Sequence, residues 1–344
     1  MKKVLSLVLC ITISFSLIFS LCSCSNSRDA GRKDINKISV VTTIFPYYDF
    51  VREIADDKVD IKLLLSPGNE PHTYEPSPSD IVAIENCDLF IYNGGESDQW
   101  VNNILKTLDN KSLKALRMMV FVKTFSAEEH TDEYADCEEG EMCDIEEHNH
   151  SDNAYDYEEN DNFHEGHHHE VDEHIWTSLK NAVTLSEKIA ECLVELDSKN
   201  AEFYKENKDK FTSELKTMDE EITQITKSSK RDTLIFGDRF PFLYFVTDYN
   251  LKYECAFPGC SSETEPSIST VTHLIDYVRK FDIPTVFHLE FSNGNIANLI
   301  SEDTNAEVRR FSSCHNVTKD EFSSGCTYIS LMEDNIKVLK EALS

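Results

Sequence analysis

Apolar positions in this chain follow two periods in turn. Short runs rich in Val, Ile, Leu and Phe, such as Ile38–Thr43, "VDIKLLL" and "LFIY", read as buried strands. Between them apolar residues recur at the spacing of an amphipathic helix. One helix is predicted after Phe45-Pro46, another in "SPSDIVAIENCD" behind a Ser-Asp cap, and a third in "ESDQWVNNILKTL". "KALRMMVFV" holds a further strand. Then come two helical runs, "DEHIWTSLKNAVTLSEKIAECLVEL" and "NAEFYKENKDKFTSELKTMDEEITQITKS". The second extends to about Ser228, long enough to cross between domains. The alternation resumes with strands in "DTLIFGD", "LKYECAFPG", "PTVFHLE" and "AEVRRFSS". Helices are predicted in "FPFLYFVTDYN", "SISTVTHLIDYVRKFD", "NIANLISEDTN" and "YISLMEDNIKVLKEAL". Strand–helix alternation of this kind gives an α/β fold with mostly parallel sheets. Two lobes of similar plan are expected, 37–177 and 230–344, joined through a helical region at 178–229.

Residues 126–173 break both periods. They hold 20 Asp and Glu and no Lys or Arg, and so carry −20 of the formal net charge of −30. A segment so acidic and poor in aliphatics cannot bury enough surface to offset the entropy of ordering, so it is expected to be a disordered loop in the first lobe. The remaining chain is only mildly acidic. Neither part offers the basic surface that nucleic acid requires, and a cationic ligand is the natural partner.

The N-terminus reads as a targeting segment. Lys2 and Lys3 precede an apolar run from Val4 to Leu21, followed by "LCSC" and a polar stretch. The pattern resembles a lipobox, with cleavage after residue 23, lipidation at Cys24 and a tether over 24–36. That implies an extracytoplasmic, membrane-anchored protein. Disulfides are permitted there, and one or two are plausible among Cys255, Cys260, Cys314 and Cys326. Cys87 and Cys192 fall in apolar patterns and read as buried thiols.

Four positions carry candidate chemistry. His72 lies in the Pro-rich "PGNEPHTYEPSPSD", just after a strand. His174 precedes a helix in "DEHIWTS". Asp238 follows a strand in "FGDRF", and Glu290 ends the run "FHLE". Each taken singly reads as a surface histidine or a capping acid. Together, two from each lobe sit at strand-to-helix junctions, where open α/β sheets bind ligands. Imidazole with carboxylate suits Zn, Mn or Fe(II). His288, two residues before Glu290, would share its face in a strand.

The stretches "VVTTIFPYYDFVREIA", "PGNEPHTYEPSPSD", "DEHIWTS", "SSETEPSIST" and "FHLEFSNGNIANLI" resemble, in order, those of the cluster A-I metal-binding lipoproteins. These are the zinc and manganese solute-binding proteins of bacterial ABC transporters. The resemblance implies two α/β lobes joined by one long rigid helix, with metal held between them and no enzymatic activity. It implies His72 and His174 as the first two ligands. A His-rich acidic loop before the second ligand marks zinc members, and His148, His150, His164, His167, His168 and His169 fit that auxiliary role. The third ligand column reads Asp238 or Arg239. Arginine stays protonated and cannot ligate, so Asp238 is assigned, with Glu290 as fourth and His288 as a possible third imidazole. Zn2+ is the expected cargo, with Mn2+ left open by the two carboxylates. The expected partners are an ABC permease with its ATPase and the membrane through the lipid anchor, the chain itself being monomeric. Rival readings are a manganese-tuned relative, a metal-buffering surface adhesin, and a metallohydrolase using Glu70 as base.

Overall fold

The computed structural model describes residues 37–126, 171–258 and 266–344. Its strands form two four-stranded sheets with one shared plan. β1 (Ile38–Thr42), β2 (Val59–Leu63), β3 (Leu89–Tyr92) and β4 (Lys114–Arg117) lie in the order β2-β1-β3-β4. β5 (Thr233–Arg239), β6 (Lys252–Phe257), β7 (Thr285–His288) and β8 (Glu307–Arg310) lie in the order β6-β5-β7-β8. Every pairing is parallel. The first strand of each lobe is therefore central, and its carboxyl end points at the seam where loops from both lobes gather.

In the first lobe the helices are α1 (Phe45–Ala55), α2 (Pro78–Glu85), α3 (Gln99–Thr107) and α4 (Leu179–Leu196). α5 (Ala201–Ser228) follows. The second lobe holds α6 (Leu243–Tyr249), α7 (Ile268–Phe281), α8 (Asn295–Thr304), α9 (Lys319–Ser323) and α10 (Tyr328–Leu343). Sequence signals account for several starts. Pro46 stands in the first turn of α1, where its missing N–H costs nothing. Ser77 and Asp80 form a capping box on α2, and Ser267 caps α7.

The 28 residues of α5 span about 42 Å. Its buried positions Tyr204, Phe211, Leu215, Met218 and Ile222 form one stripe. The helix packs on α1 and α4 on one side of the seam and on α6 and α10 on the other. The buried apolar cluster likewise runs without a break from Val40, Phe50 and Leu89 through Trp176 and Tyr328 to Phe236, Phe287 and Phe311. Burial at this seam is of the kind found inside a domain, which welds the lobes. Gly237 shows how closely the layers pack in the second lobe: a Cβ there would sit 2.5 Å from the backbone nitrogen of Ala297 in α8.

Several expectations change. The acidic segment is shorter than 126–173. Ser126 bridges Val171 in antiparallel fashion and Asp172 N–H donates to the Phe125 carbonyl at 3.0 Å, so Asp172 and Glu173 belong to the folded lobe. β7 ends at His288, so Glu290 lies beyond the strand and the shared-face argument does not hold. Cys255, Cys314 and Cys326 are free thiols rather than half-cystines, and Cys87 and Cys192 are the buried thiols expected. Cys260 lies outside the described residues, as do Cys24 with the N-terminal segment and the loop histidines His148, His150, His164 and His167 to His169.

Candidate metal centre

His72 sits in a single 3-10 turn, Pro71–Thr73, on the loop after β2. That loop is held from both sides. Asp80 accepts from Lys62 at 2.8 Å, from the Tyr74 hydroxyl at 3.1 Å and from Ser77. From the second lobe, the Asn316 amide donates to the carbonyls of Ser66 and Asn69, both at 3.0 Å, and the Val317 carbonyl accepts from Gly68 N–H at 2.8 Å. Gly68 has φ +85°, which favours glycine at this bend.

His174 lies before the turn Ile175–Thr177 that opens α4. Asp172 accepts from its backbone N–H at 2.8 Å and stands 3.1 Å from its Nδ1. A carboxylate on Nδ1 places the proton there and the lone pair on Nε2. Glu173 does the corresponding service for the other imidazole. Its Oε1 lies 3.4 Å from Nδ1 of His72 and accepts from the Ser97 hydroxyl, while its Oε2 accepts from Ser97 N–H at 3.1 Å. Burial raises the Glu173 pKa. The His72 hydrogen bond, the charge on His174 and the Ser97 hydroxyl outweigh that and hold it well below the usual range. Gly95 makes this approach possible, because a Cβ there would strike the Glu173 carboxylate at 2.3 Å. Asp98, raised to about 6 by burial, accepts from Asn93 N–H at 2.7 Å and Gly94 N–H at 3.1 Å and fixes the same loop.

The third imidazole is His315, on the loop after β8. Its ring packs on Trp176 at 4.5 Å between centroids. The Trp176 indole N–H donates to the Ser313 carbonyl at 2.9 Å, and Ser313 Oγ accepts from the His315 N–H at 3.2 Å. Burial and then the neighbouring His72 and His174 push the His315 pKa well below 6.5, so this ring is neutral and ready to donate a lone pair.

The three rings converge. Their centroids are 5.6 Å apart for His72–His174, 5.2 Å for His72–His315 and 5.6 Å for His174–His315. One nitrogen from each lies within 4.8 Å of the others. Two nitrogens on one tetrahedral zinc sit about 3.4 Å apart, so small side-chain rotations would complete the site. The cleft beside them holds about 30 Å³ accessible to water. That is room for an ion and a water or two, and far below the roughly 300 Å³ and more of small-molecule pockets.

The ZnuA family model, described as zinc-uptake complex component A, periplasmic, matches residues 40–342. The chain belongs to the ZnuA family. It is 29% identical over 330 residues to the zinc-binding lipoprotein AdcA of Streptococcus pneumoniae, covering 94% of this chain and 60% of AdcA. It therefore spans about three-fifths of the length of that relative. It is 28% identical over 323 residues to the high-affinity zinc uptake system protein ZnuA of Bacillus subtilis, covering 93% of each. The Zn(II)-bound ZnuA-like domain of Streptococcus pneumoniae AdcA superposes with a TM-score of 0.68 at 25% identity, covering 89% of this chain and 99% of that domain.

Against this family background, the four sequence-assigned ligands divide by lobe. His72 and His174 enter the cluster. Asp238 and Glu290 line the same cleft but are not among the donors gathered within 4.8 Å. Asp238 is a brace: it accepts from Leu289 N–H at 3.0 Å and Arg239 N–H at 2.9 Å, tying the ends of β5 and β7 together. Glu290 accepts from Ser313 N–H at 2.9 Å and Ser313 Oγ at 2.6 Å, and burial raises its pKa against those bonds. His288 turns its Nδ1 to the Leu289 carbonyl at 2.9 Å. His315 lies in no distinctive local motif, although "FSSCHN" follows a strand just as the other candidates do. Asp172 and Glu173 were hidden inside a run of carboxylates.

Proposed function

We propose that this chain captures one Zn2+ between its lobes and delivers it to an ABC permease driven by its ATPase. His72, His174 and His315 are the donors, and Glu290, which lines the same cleft, would supply the fourth ligand on leaving Ser313. The observation that carries this reading is the convergence of three imidazoles, two of them oriented by carboxylates on Nδ1. Imidazoles held in this way suit zinc. A set of two imidazoles and two carboxylates leaves manganese open. Three imidazoles move the preference away from that hard, oxygen-seeking ion. Lipidation at Cys24 would tether the chain outside the membrane as a monomer, and the His-rich loop would raise the local metal concentration. Zinc-binding AdcA and the zinc-uptake protein ZnuA are consistent with this cargo.

Competition titrations with Zn2+ and Mn2+, on the chain and on His315→Ala, test it. One tight zinc per chain that is lost in His315→Ala is the expected result. Tight zinc that survives in His315→Ala would remove His315 from the site, and no tight zinc would remove the function.

A further inference from the structure

The welded seam leaves little scope for a hinge. Trp176, Tyr244 and Tyr328 all hydrogen-bond across it: Tyr244 to the Asp172 carbonyl at 2.7 Å, and Tyr328 to the Trp176 carbonyl at 2.6 Å. Yet His174 and His315 are only 3% and 5% exposed. An ion must reach them past side chains at the rim of the cleft, on the side of His72.

Glu70 stands two residues before His72. Across the cleft its Oε1 lies 3.4 Å from Nη1 of Arg239, the last residue of β5. The two side chains join the lobes over the cleft they both line. Among the described residues, Arg239 is the sole Arg or Lys lining the cleft, and its charge is permanent. Of the lining carboxylates, Asp238 is engaged by two backbone N–H groups and Glu290 by Ser313. Glu70 instead faces the guanidinium. The two side chains are 31% and 33% exposed, where an ion pair adds little to stability.

We infer that Glu70 and Arg239 form a charge gate that sets the rates of metal entry and release. Arg239 neutralises Glu70 until a dication arrives. The ion then takes Glu70 from the guanidinium, passes to the three imidazoles, and meets Arg239 again as it leaves. The inference rests on the zinc reading above, but it concerns exchange rates, not the final donor set.

The test is stopped-flow mixing with Zn2+, followed by tryptophan fluorescence. Trp176 is the natural reporter, 4.5 Å from His315 and 5.4 Å from His174 between ring centroids. Arg239→Gln is expected to speed association roughly fivefold to tenfold, and Glu70→Gln to slow it by a similar factor. Both effects shrink as salt shortens the reach of the charges. In the Glu70→Gln background, Arg239→Gln is expected to bring no acceleration, because the arginine acts through Glu70. Additive effects in the double variant would mean unpaired long-range charge and would overturn the gate. So would unchanged rates in Arg239→Gln while the chain still loads zinc, an outcome that leaves the zinc reading standing. A marked fall in the melting temperature of Arg239→Gln would make the pair structural and also overturn it. If the chain takes up no zinc at the three histidines, both inferences fall together.

Discussion

The two lobes share one strand order and hold the three clustered imidazoles by different means. The first lobe presents His72 and His174, each with a carboxylate on Nδ1. The second presents His315, neutral through burial and packed on Trp176, beside Asp238 held by backbone N–H groups and Glu290 held by Ser313. One lobe orients its imidazoles by electrostatics and the other by packing. The lesson is that a shared fold fixes where a donor can stand, at the carboxyl end of a strand, but not which residue stands there or what holds it.

Removing a donor from either lobe sets the largest expected effect. His72→Ala and His315→Ala should each weaken zinc binding by more than about 100-fold, beyond what loss of a supporting residue brings. Asp238→Asn should cost less than about tenfold. Competition with a chelator of known affinity reads all three. A large loss in Asp238→Asn with little in His315→Ala would break the assignment of the second lobe.

The orienting carboxylates come next. Glu173→Gln should weaken zinc binding by about 10- to 100-fold, because it leaves His72 without its anionic partner. Co2+ substitution gives a second readout, since a tilted His72 would change the visible absorption of the bound ion. Equal affinity and an unchanged spectrum would mean that burial alone suffices in the first lobe too.

Proton linkage sharpens the contrast further. The His315 pKa is lowered in the folded chain, so the folded state binds fewer protons there than the unfolded state. Its contribution to stability is complete above about 6.5 and is lost as pH falls below it, at up to about 1.4 kcal/mol per unit. Asp49 and Asp98, raised by burial to about 7 and about 6, act in the opposite direction. The quantity to read is therefore the difference between the chain and His315→Gln in metal-free thermal melts. His315→Gln should lose less stability on acidification. Identical pH slopes would show that His315 is not kept neutral by burial.

The smallest effect belongs to the acidic segment. Deleting residues 130–170 should leave the affinity of the tight site unchanged, because Ser126 and Val171 already close the base of the segment. Weak additional zinc equivalents should disappear in the same titration. Loss of tight binding would mean that the loop supplies a donor.

Periodicity and punctuation in the sequence determined the elements. Alternating apolar runs and amphipathic stripes marked the strands and helices in order, and the Ser77 and Ser267 caps marked two helix starts. These features were legible because they depend on neighbours in the chain. His72 and His174 were legible because each lies in a distinctive local motif. What the tertiary structure decided is contact across the seam. It joined His315 to two histidines far away in sequence, and set Asp238 against the backbone N–H groups of Leu289 and Arg239. It also took Asp172 and Glu173 out of the acidic run and set them behind the imidazoles. Composition could not separate those two from their acidic neighbours, since all are carboxylates in one run. Only burial and a partner at hydrogen-bonding distance set them apart, and both are properties of the packed fold.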